Sequence, residues 1–233
     1  MVRVGDKLFE LEGLEPEEYW SLSLASVFNE SNHQCNDENL LGIGEKIVEK
    51  LKGSPLAAKT VGRLLRKNIY VDHWTRVLES KEWESQTGDH DIMPALKVSY
   101  DYLPFHLQQC FSSCALFPED YEFDCEELIH FWIGLDILRP DNRIKRVEDI
   151  GRNNLNDLVN YGFFKKETGD SDTHYVMHDL LHDLALKVSS QECLHIAFLS
   201  PRNVEIAPSV YHLSISMSDS DDSNDGVVEE KFK

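Results

Sequence analysis

The chain has little positive charge, few cysteines and only short apolar runs. Among 233 residues, 23 lysines and arginines stand against 42 acidic residues, which gives a formal net charge of −19. Such a chain is repelled by phosphate backbones and anionic membranes, so binding to either requires a local basic patch. No run approaches the ~18 apolar residues of a membrane span, and residues 1–7 lack the apolar core of a signal peptide. We therefore expect a cytoplasmic protein without a membrane span.

The five cysteines do not indicate a disulfide framework. Their number is odd and they are scattered, which is typical of reduced thiols in the cytosol. Cys110 and Cys114 lie four residues apart in an aromatic-rich segment, where a zinc site is the alternative. Without clustered partners, buried structural thiols are the favoured interpretation.

Several catalytic signatures are absent from the chain. It contains no Gly-x-x-x-x-Gly-Lys-[Ser/Thr], and the stretch Gly42–Glu45 lacks both the lysine and a preceding strand. Neither a Gly-x-Ser-x-Gly elbow nor a His-Glu-x-x-His helix is present. The sequence therefore offers no phosphate loop, and we expect no enzymatic activity.

Residues 1–90 predict a helical bundle with short connections. Apolar residues recur at steps of three and four in Pro16–Phe28, in Glu38–Leu51 and after Pro55, and a short helix is expected at Val71–Leu78. Ser54 is a predicted N-cap, and Pro55 then occupies the first helical position, where its missing N–H costs little.

Residues 91–192 predict a winged-helix domain. Three helices are expected: one over Phe105–Phe117, one capped by Asp124, and one over Val147–Tyr161. The period then changes, and strands are expected at Phe163–Lys165 and His174–Met177 around a loop at 168–172. Three helices followed by a two-stranded wing give a mainly α protein with one small β-hairpin.

The run Tyr175–Leu184 is the most informative in the chain. Its His178-Asp179-Leu180 is repeated four residues later, and a helix is expected from about His178 to Val188. A histidine in the first turn of a helix lies beside unpaired N–H groups, where a phosphate is favoured. A metal site using His174, His178 and His182 with their aspartates is a second interpretation. A plain polar stripe opposite the leucines is the third.

Nucleic-acid binding is the usual role of the third helix of a winged helix, but the charges here nearly cancel. The expected helix carries four cationic and four acidic residues: Arg143, Lys145, Arg146 and Arg152 against Asp141, Glu148, Asp149 and Asp157. The wing adds Lys165 and Lys166, and it also adds three carboxylates. We expect no nucleic-acid partner.

Three separated segments together resemble one family. Gly53–Ala57 resembles a Gly-Leu-Pro-Leu-Ala motif, Cys110–Asp120 resembles the cysteine- and phenylalanine-rich motif of the non-TIR class, and Tyr175–Asp179 resembles a Met-His-Asp motif. Their order and spacing are similar to those of plant NB-ARC–LRR disease-resistance proteins. By this resemblance, residues 1–90 correspond to the ARC1 subdomain and 91–192 to the winged-helix ARC2 subdomain. Residues 193–233 correspond to the junction with the leucine-rich repeats, whose strand is Val210–Ser216, followed by an acidic, disordered tail.

The resemblance implies an intracellular immune receptor that works as a nucleotide switch. ADP would hold the closed state, and exchange for ATP would release the winged-helix subdomain and allow oligomerisation. Pro55 would pack near the adenine and His178 would contact the β-phosphate. Met177 would pack inward, and Asp179 would hold the local backbone. The partners implied are the receptor's own nucleotide-binding and leucine-rich-repeat domains.

This chain departs from the family pattern in two ways. Ser54 stands where leucine is usual, which is a mild change. The phosphate loop and the Mg²⁺ carboxylate of the nucleotide-binding subdomain are not found in this sequence. We therefore expect weak nucleotide binding, or none, by this chain alone. A His-Asp metal-dependent phosphohydrolase and a nucleic-acid-binding module are the alternative functions.

Overall fold

A computed structural model describes residues 2–4, 7–9, 16–28, 37–88, 91–138, 146–169, 173–189, 193–198 and 212–217. The described residues are mainly helical, which confirms the predicted fold class. The helices are α1 (Pro16–Phe28), α2 (Glu38–Lys50), α3 (Pro55–Lys67), α4 (Val71–Leu78), α5 (Met93–Asp101), α6 (Phe105–Ser113), α7 (Cys125–Gly134), α8 (Val147–Tyr161) and α9 (Asp179–Ser189). The strands are β1 (Val2–Val4), β2 (Lys7–Phe9), β3 (Phe123–Asp124), β4 (Lys165–Thr168), β5 (Thr173–Val176), β6 (Cys193–Phe198) and β7 (His212–Met217).

Helices α1 to α4 form the predicted bundle. α1 packs on α3 and α2 on α4. The first pair approaches closely at Gly62, where an added Cβ would lie 2.6 Å from the Cβ of Ser26. Trp74 fills the centre of the bundle and its indole N–H donates to the carbonyl of Leu65 at 3.2 Å. Gly62 is therefore required by the close packing of α1 on α3.

Helix α5 contacts both halves of the molecule. It packs against α3 and the 3₁₀ turn Lys81–Ser85 on one side and against α9 on the other. A domain boundary at residues 90/91 stays a prediction, since α5 is shared between the bundle and the helices that follow.

Helices α6, α7 and α8 with a small antiparallel sheet form the winged helix. The strand order is β3-β5-β4, so the sheet has three strands where the sequence predicted a hairpin of two. The additional strand β3 pairs Phe123 with Tyr175. A strand of two residues is too short to show any alternation, so it could not be predicted from the hydrophobic pattern.

Two predicted boundaries in this domain are wrong. The apolar helix ends at Ser113 and continues as a 3₁₀ turn, Cys114–Leu116, instead of running to Phe117. The predicted strand at Phe163–Lys165 begins only at Lys165. Phe163 and Phe164 are buried before the strand starts, and Phe163 packs edge to face on Phe111 at 4.9 Å. Both apolar residues therefore belong to the core between the helices and the wing.

The outermost strands were not all expected. β1 and β2 form an antiparallel pair that the mixed residues 1–13 did not predict. β6 was also missed, and it pairs in parallel with β7, with Cys193 opposite His212. β7 corresponds to the strand predicted at Val210–Ser216. The predicted acidic tail lies outside the described residues.

Candidate functional site

An open cleft of about 690 Å³ lies between α3 and the winged helix. Its lining includes four cationic side chains, Lys59, Arg63, Lys165 and Lys166, and two carboxylates, Asp120 and Glu122. The excess of two cations contrasts with a chain whose net charge is −19. The cleft therefore provides a local environment that favours an anion.

His178 lies on the cleft, at the point where β5 leads into α9. It precedes the helix instead of beginning it, which corrects the predicted helix start. Its carbonyl accepts from the N–H groups of Leu181 at 2.8 Å and His182 at 2.9 Å, so His178 occupies the N-cap position.

The two ring nitrogens of His178 have different surroundings. Nδ1 accepts from the N–H of Leu180 at 3.2 Å and lies against the carboxylate of Asp179. The side chain is half exposed. Because Nδ1 is engaged by the start of α9, Nε2 is the nitrogen left for a ligand, and it donates when Nδ1 accepts. The cap thus leaves one donor available on a side chain that lines the cleft.

The two neighbours of His178 differ in burial. Met177 is 6% exposed and packs into the core, as the resemblance implied. Asp179 is exposed and is the first residue of α9. Its carboxylate lies near the positive end of the helix dipole, which stabilises it there.

Pro55 is the first residue of α3 and is exposed. Ser54 is the predicted N-cap and accepts from the N–H of Ala57 at 3.3 Å. The hydroxyl of Tyr19 donates to the carbonyl of Ser54 at 3.1 Å, which anchors this turn on α1. Leu56, which follows Pro55, lines the same cleft as His178. The structure therefore places the start of α3 and His178 at one cleft.

Arg63 is a residue that sequence reasoning missed. Its Nη1 donates to the carbonyl of Val159 at 2.9 Å, across 96 residues of sequence. Burial lowers the pKa of the guanidinium from its ordinary value, and the charge of Arg66 adds to this effect. Nothing in the helical pattern around Arg63 distinguishes it from a surface arginine, so the sequence carried no signal.

The three histidines of the metal hypothesis have separate partners. Nε2 of His174 lies 3.5 Å from Glu167, and Nε2 of His182 bonds to the carbonyl of Phe117 at 2.9 Å. Within the described ranges, no group of three or more His, Cys, Asp or Glu residues is arranged to hold a metal. His182 instead joins α9 to the segment after the 3₁₀ turn Cys114–Leu116.

The cations expected on the third helix are not free. α8 begins at Val147, so Arg146 precedes the helix, and it pairs with Glu148 at 3.6 Å. Arg152 contacts Glu126 of α7 and lies 3.8 Å from Asp149. Arg143 and Lys145 lie outside the described residues. The described arginines at the start of α8 are therefore ion-paired.

Fold and cleft together define a winged-helix protein whose third helix carries more acidic than basic residues and whose wing lysines line a cleft against an adjoining helical bundle. Residues 116–185 match the family model described as the disease resistance protein winged helix domain. At3g14460 of Arabidopsis thaliana, which is named among disease resistance proteins, is 38% identical over 94% of this chain. The disease resistance protein RGA2 of Solanum bulbocastanum is 38% identical over 78% of the chain, and RPM1 of Arabidopsis thaliana is 29% identical over 81%. The winged helix thus belongs to the disease resistance protein family, and the chain as a whole is similar to plant disease resistance proteins, which confirms the resemblance.

The chain spans only part of these relatives, 15% of At3g14460, 19% of RGA2 and 21% of RPM1. None of the helices in the described part of the chain combines the length and apolar character needed to cross a bilayer.

Proposed function

We propose that the chain is the regulatory, nucleotide-sensing module of an intracellular plant immune receptor. It acts through docking and conformational change and not through catalysis. ADP bound in the complete receptor holds the resting state, and exchange for ATP releases it. The observation that carries this proposal is the cleft, because it gathers the start of α3, His178 and an excess of cations in a chain whose winged helix belongs to the disease resistance protein family.

Each site residue has a defined role in this proposal. Pro55 packs near the adenine, and His178 contacts the β-phosphate of ADP through Nε2. Met177 anchors the turn in the core, and Asp179 holds the local backbone as the first residue of α9. A phosphate at this position gains from both the helix dipole and the ring N–H. Two segments that lie far apart in the sequence thus contact one ligand.

The remaining partners are domains of the same receptor. A nucleotide-binding domain supplies the phosphate loop and the Mg²⁺ ligands, and a leucine-rich-repeat domain follows the winged helix. The parallel pair β6–β7 supports the second partner, because repeat arrays of this class stack one parallel strand from each repeat.

Titration with ADP tests whether nucleotide binding depends on a second domain. We expect this chain alone to bind ADP weakly or not at all in calorimetry, because it supplies only part of the contacts that the nucleotide needs. A longer form of the protein carrying a phosphate loop is expected to bind in the micromolar range or tighter. Micromolar binding by the chain alone would contradict the proposed dependence on a second domain.

Substitution of His178 tests its role as the ADP contact. In a complete receptor, His178→Ala is expected to loosen the ADP-held state and to cause cell death without a pathogen. The same change removes a helix cap, which costs about 1 kcal/mol. His178→Asn is the matched control, since asparagine caps helices well but lacks the longer imidazole. We expect both variants to be autoactive, and a quiet resting state in His178→Ala would count against the sensor role.

A further inference from the structure

Two cationic side chains of α3 contact the C-terminal end of α8. Arg63 donates to the carbonyl of Val159 in the last turn of α8, and the same carbonyl accepts from the N–H of Gly162 at 3.0 Å. The ammonium of Lys67 lies 4.3 Å from the ring centroid of Tyr161. Both cations also meet the negative end of the α8 dipole. The bundle therefore holds the winged helix at this end through positive charge.

Gly162 leaves the space that Arg63 occupies. It ends α8 with φ 90°, the left-handed conformation that glycine adopts without strain. A Cβ at this position would lie 2.8 Å from Nη1 of Arg63. The arginine and the glycine therefore fit each other across the two parts of the molecule.

Arg63 also has unused capacity for hydrogen bonds. A guanidinium carries five N–H donors, and one of them is placed on Val159. The structure pairs Arg63 with no carboxylate among the described residues, although the side chain is half-buried and lines the cleft that contains His178. Lys59, one helical turn earlier, lines the same cleft.

We propose that Arg63 is a clasp that couples ligand binding to domain docking. In the ligand-free chain it ties α3 to the end of α8. When the diphosphate of a nucleotide enters the cleft, the remaining donors of Arg63 bind its oxygens, together with the cationic side chains of the wing. The anion then bridges α3 and the winged helix and tightens their contact. This inference rests on the proposed function and adds the residue through which the phosphate would hold the resting arrangement.

Hydrogen exchange tests the clasp in the full chain without any ligand. The amides of Gly162 and Phe163 donate to the carbonyls of Val159 and Leu158 at 3.0 and 2.9 Å, so their exchange reports opening of this helix end. We expect Arg63→Ala to raise exchange across 159–164 about tenfold, as loss of a charge-assisted hydrogen bond would do. The control is Arg76→Ala, because Arg76 lies on α4 and its Nε bonds only to the backbone of its own helix in the described contacts.

Inorganic pyrophosphate is the probe for the second half of the proposal. At equal ionic strength, adjusted with sodium chloride, millimolar pyrophosphate is expected to slow exchange across 159–164 in the unchanged chain and in Arg76→Ala. Arg63→Ala is expected to lose this protection, and Arg63→Lys to retain part of it, since lysine keeps the charge but not the planar fork. The Arg63→Lys variant also keeps the test valid if Arg63→Ala fails to fold.

Each result has a distinct meaning. Equal exchange in Arg63→Ala and the unchanged chain would overturn the clasp itself. Faster exchange in Arg63→Ala without protection by pyrophosphate in the unchanged chain would overturn the coupling. ADP binding by the longer receptor is tested separately, by its own titration and by the His178 variants.

Discussion

His178 shows how one side chain can both build a helix and serve a ligand. Its Nδ1 takes the N–H of Leu180, and its carbonyl takes the next two N–H groups of α9. A cap made of serine or aspartate would use its only polar group on the helix. Imidazole has a second nitrogen at a separate ring position, so one nitrogen stays available on a side chain that lines the cleft. This gives a physical reason for histidine at this position.

Gly162 allows the first prediction at the residue scale. We expect Gly162→Ala to destabilise the chain by about 1–3 kcal/mol, since alanine at φ 90° is strained and its Cβ displaces Arg63. The measurement is urea unfolding followed by tryptophan fluorescence. Gly134→Ala is the control, because a Cβ there meets nothing within 4 Å.

The steric part of this effect can be separated. In an Arg63→Ala background, Gly162→Ala should cost less, because only the backbone strain remains. An equal cost in both backgrounds would contradict the close fit between the glycine and the arginine.

At the scale of elements, the helices were predictable because their signals are local. Ser54 and Asp124 cap α3 and α7 as expected, and α4 and α8 have the predicted bounds. The strand boundary at Lys165 was not predictable, since Phe163 and Phe164 are as apolar as strand residues but are buried against helices. The hydrogen bond of His182 to the carbonyl of Phe117 was not predictable either, because it depends on how α9 packs.

Cys110 connects three helices and allows a prediction at this scale. Its carbonyl accepts from the indole N–H of Trp132 at 3.1 Å, and its Sγ lies 3.5 Å from Nδ2 of Asn154. Burial raises the pKa of this thiol to about 12, although the hydrogen bond from Asn154 opposes the shift. At pH 8 the reactive thiolate is then on the order of 10⁻⁴ of the total.

Alkylation at pH 8, mapped by mass spectrometry, measures the consequence. We expect Cys110 to stay unmodified in the native chain and to react rapidly in denaturant. Cys125 is an internal comparison, because it is only half-buried, although burial and Glu126 raise its pKa as well. Modification of Cys110 as fast as Cys125 in the native chain would show that α6 is not buried as the structure has it.

At the scale of the whole molecule, the distribution of charge does not favour binding of DNA by this winged helix. The chain is strongly acidic, but four cationic side chains line the cleft where the bundle and the winged helix meet. One of them, Lys165, also pairs with Glu167, while the described arginines at the start of α8 are ion-paired. Composition indicated that the chain is acidic. The gathering of cations at the cleft depends on the fold, because Lys59 and Lys166 are more than 100 residues apart in the sequence. The molecule therefore offers positive charge to a small anion in a cleft and not to an extended polyanion.

A gel-shift series tests this conclusion. We expect no binding of a 30-base-pair duplex, roughly three helical turns, at about 50 or 200 mM salt, because the net charge repels the duplex and the arginines of α8 are paired. A matched variant, Glu126→Gln with Glu148→Gln and Asp149→Asn, releases Arg152 and Arg146 from their partners while keeping the size of the side chains. This variant is expected to gain at most weak binding at the lower salt, since two freed cations oppose a chain that is still strongly negative. Binding by the unchanged chain that falls steeply between the two salt concentrations would contradict this prediction. It would show that the third helix binds nucleic acid despite the ion pairs across α7 and α8.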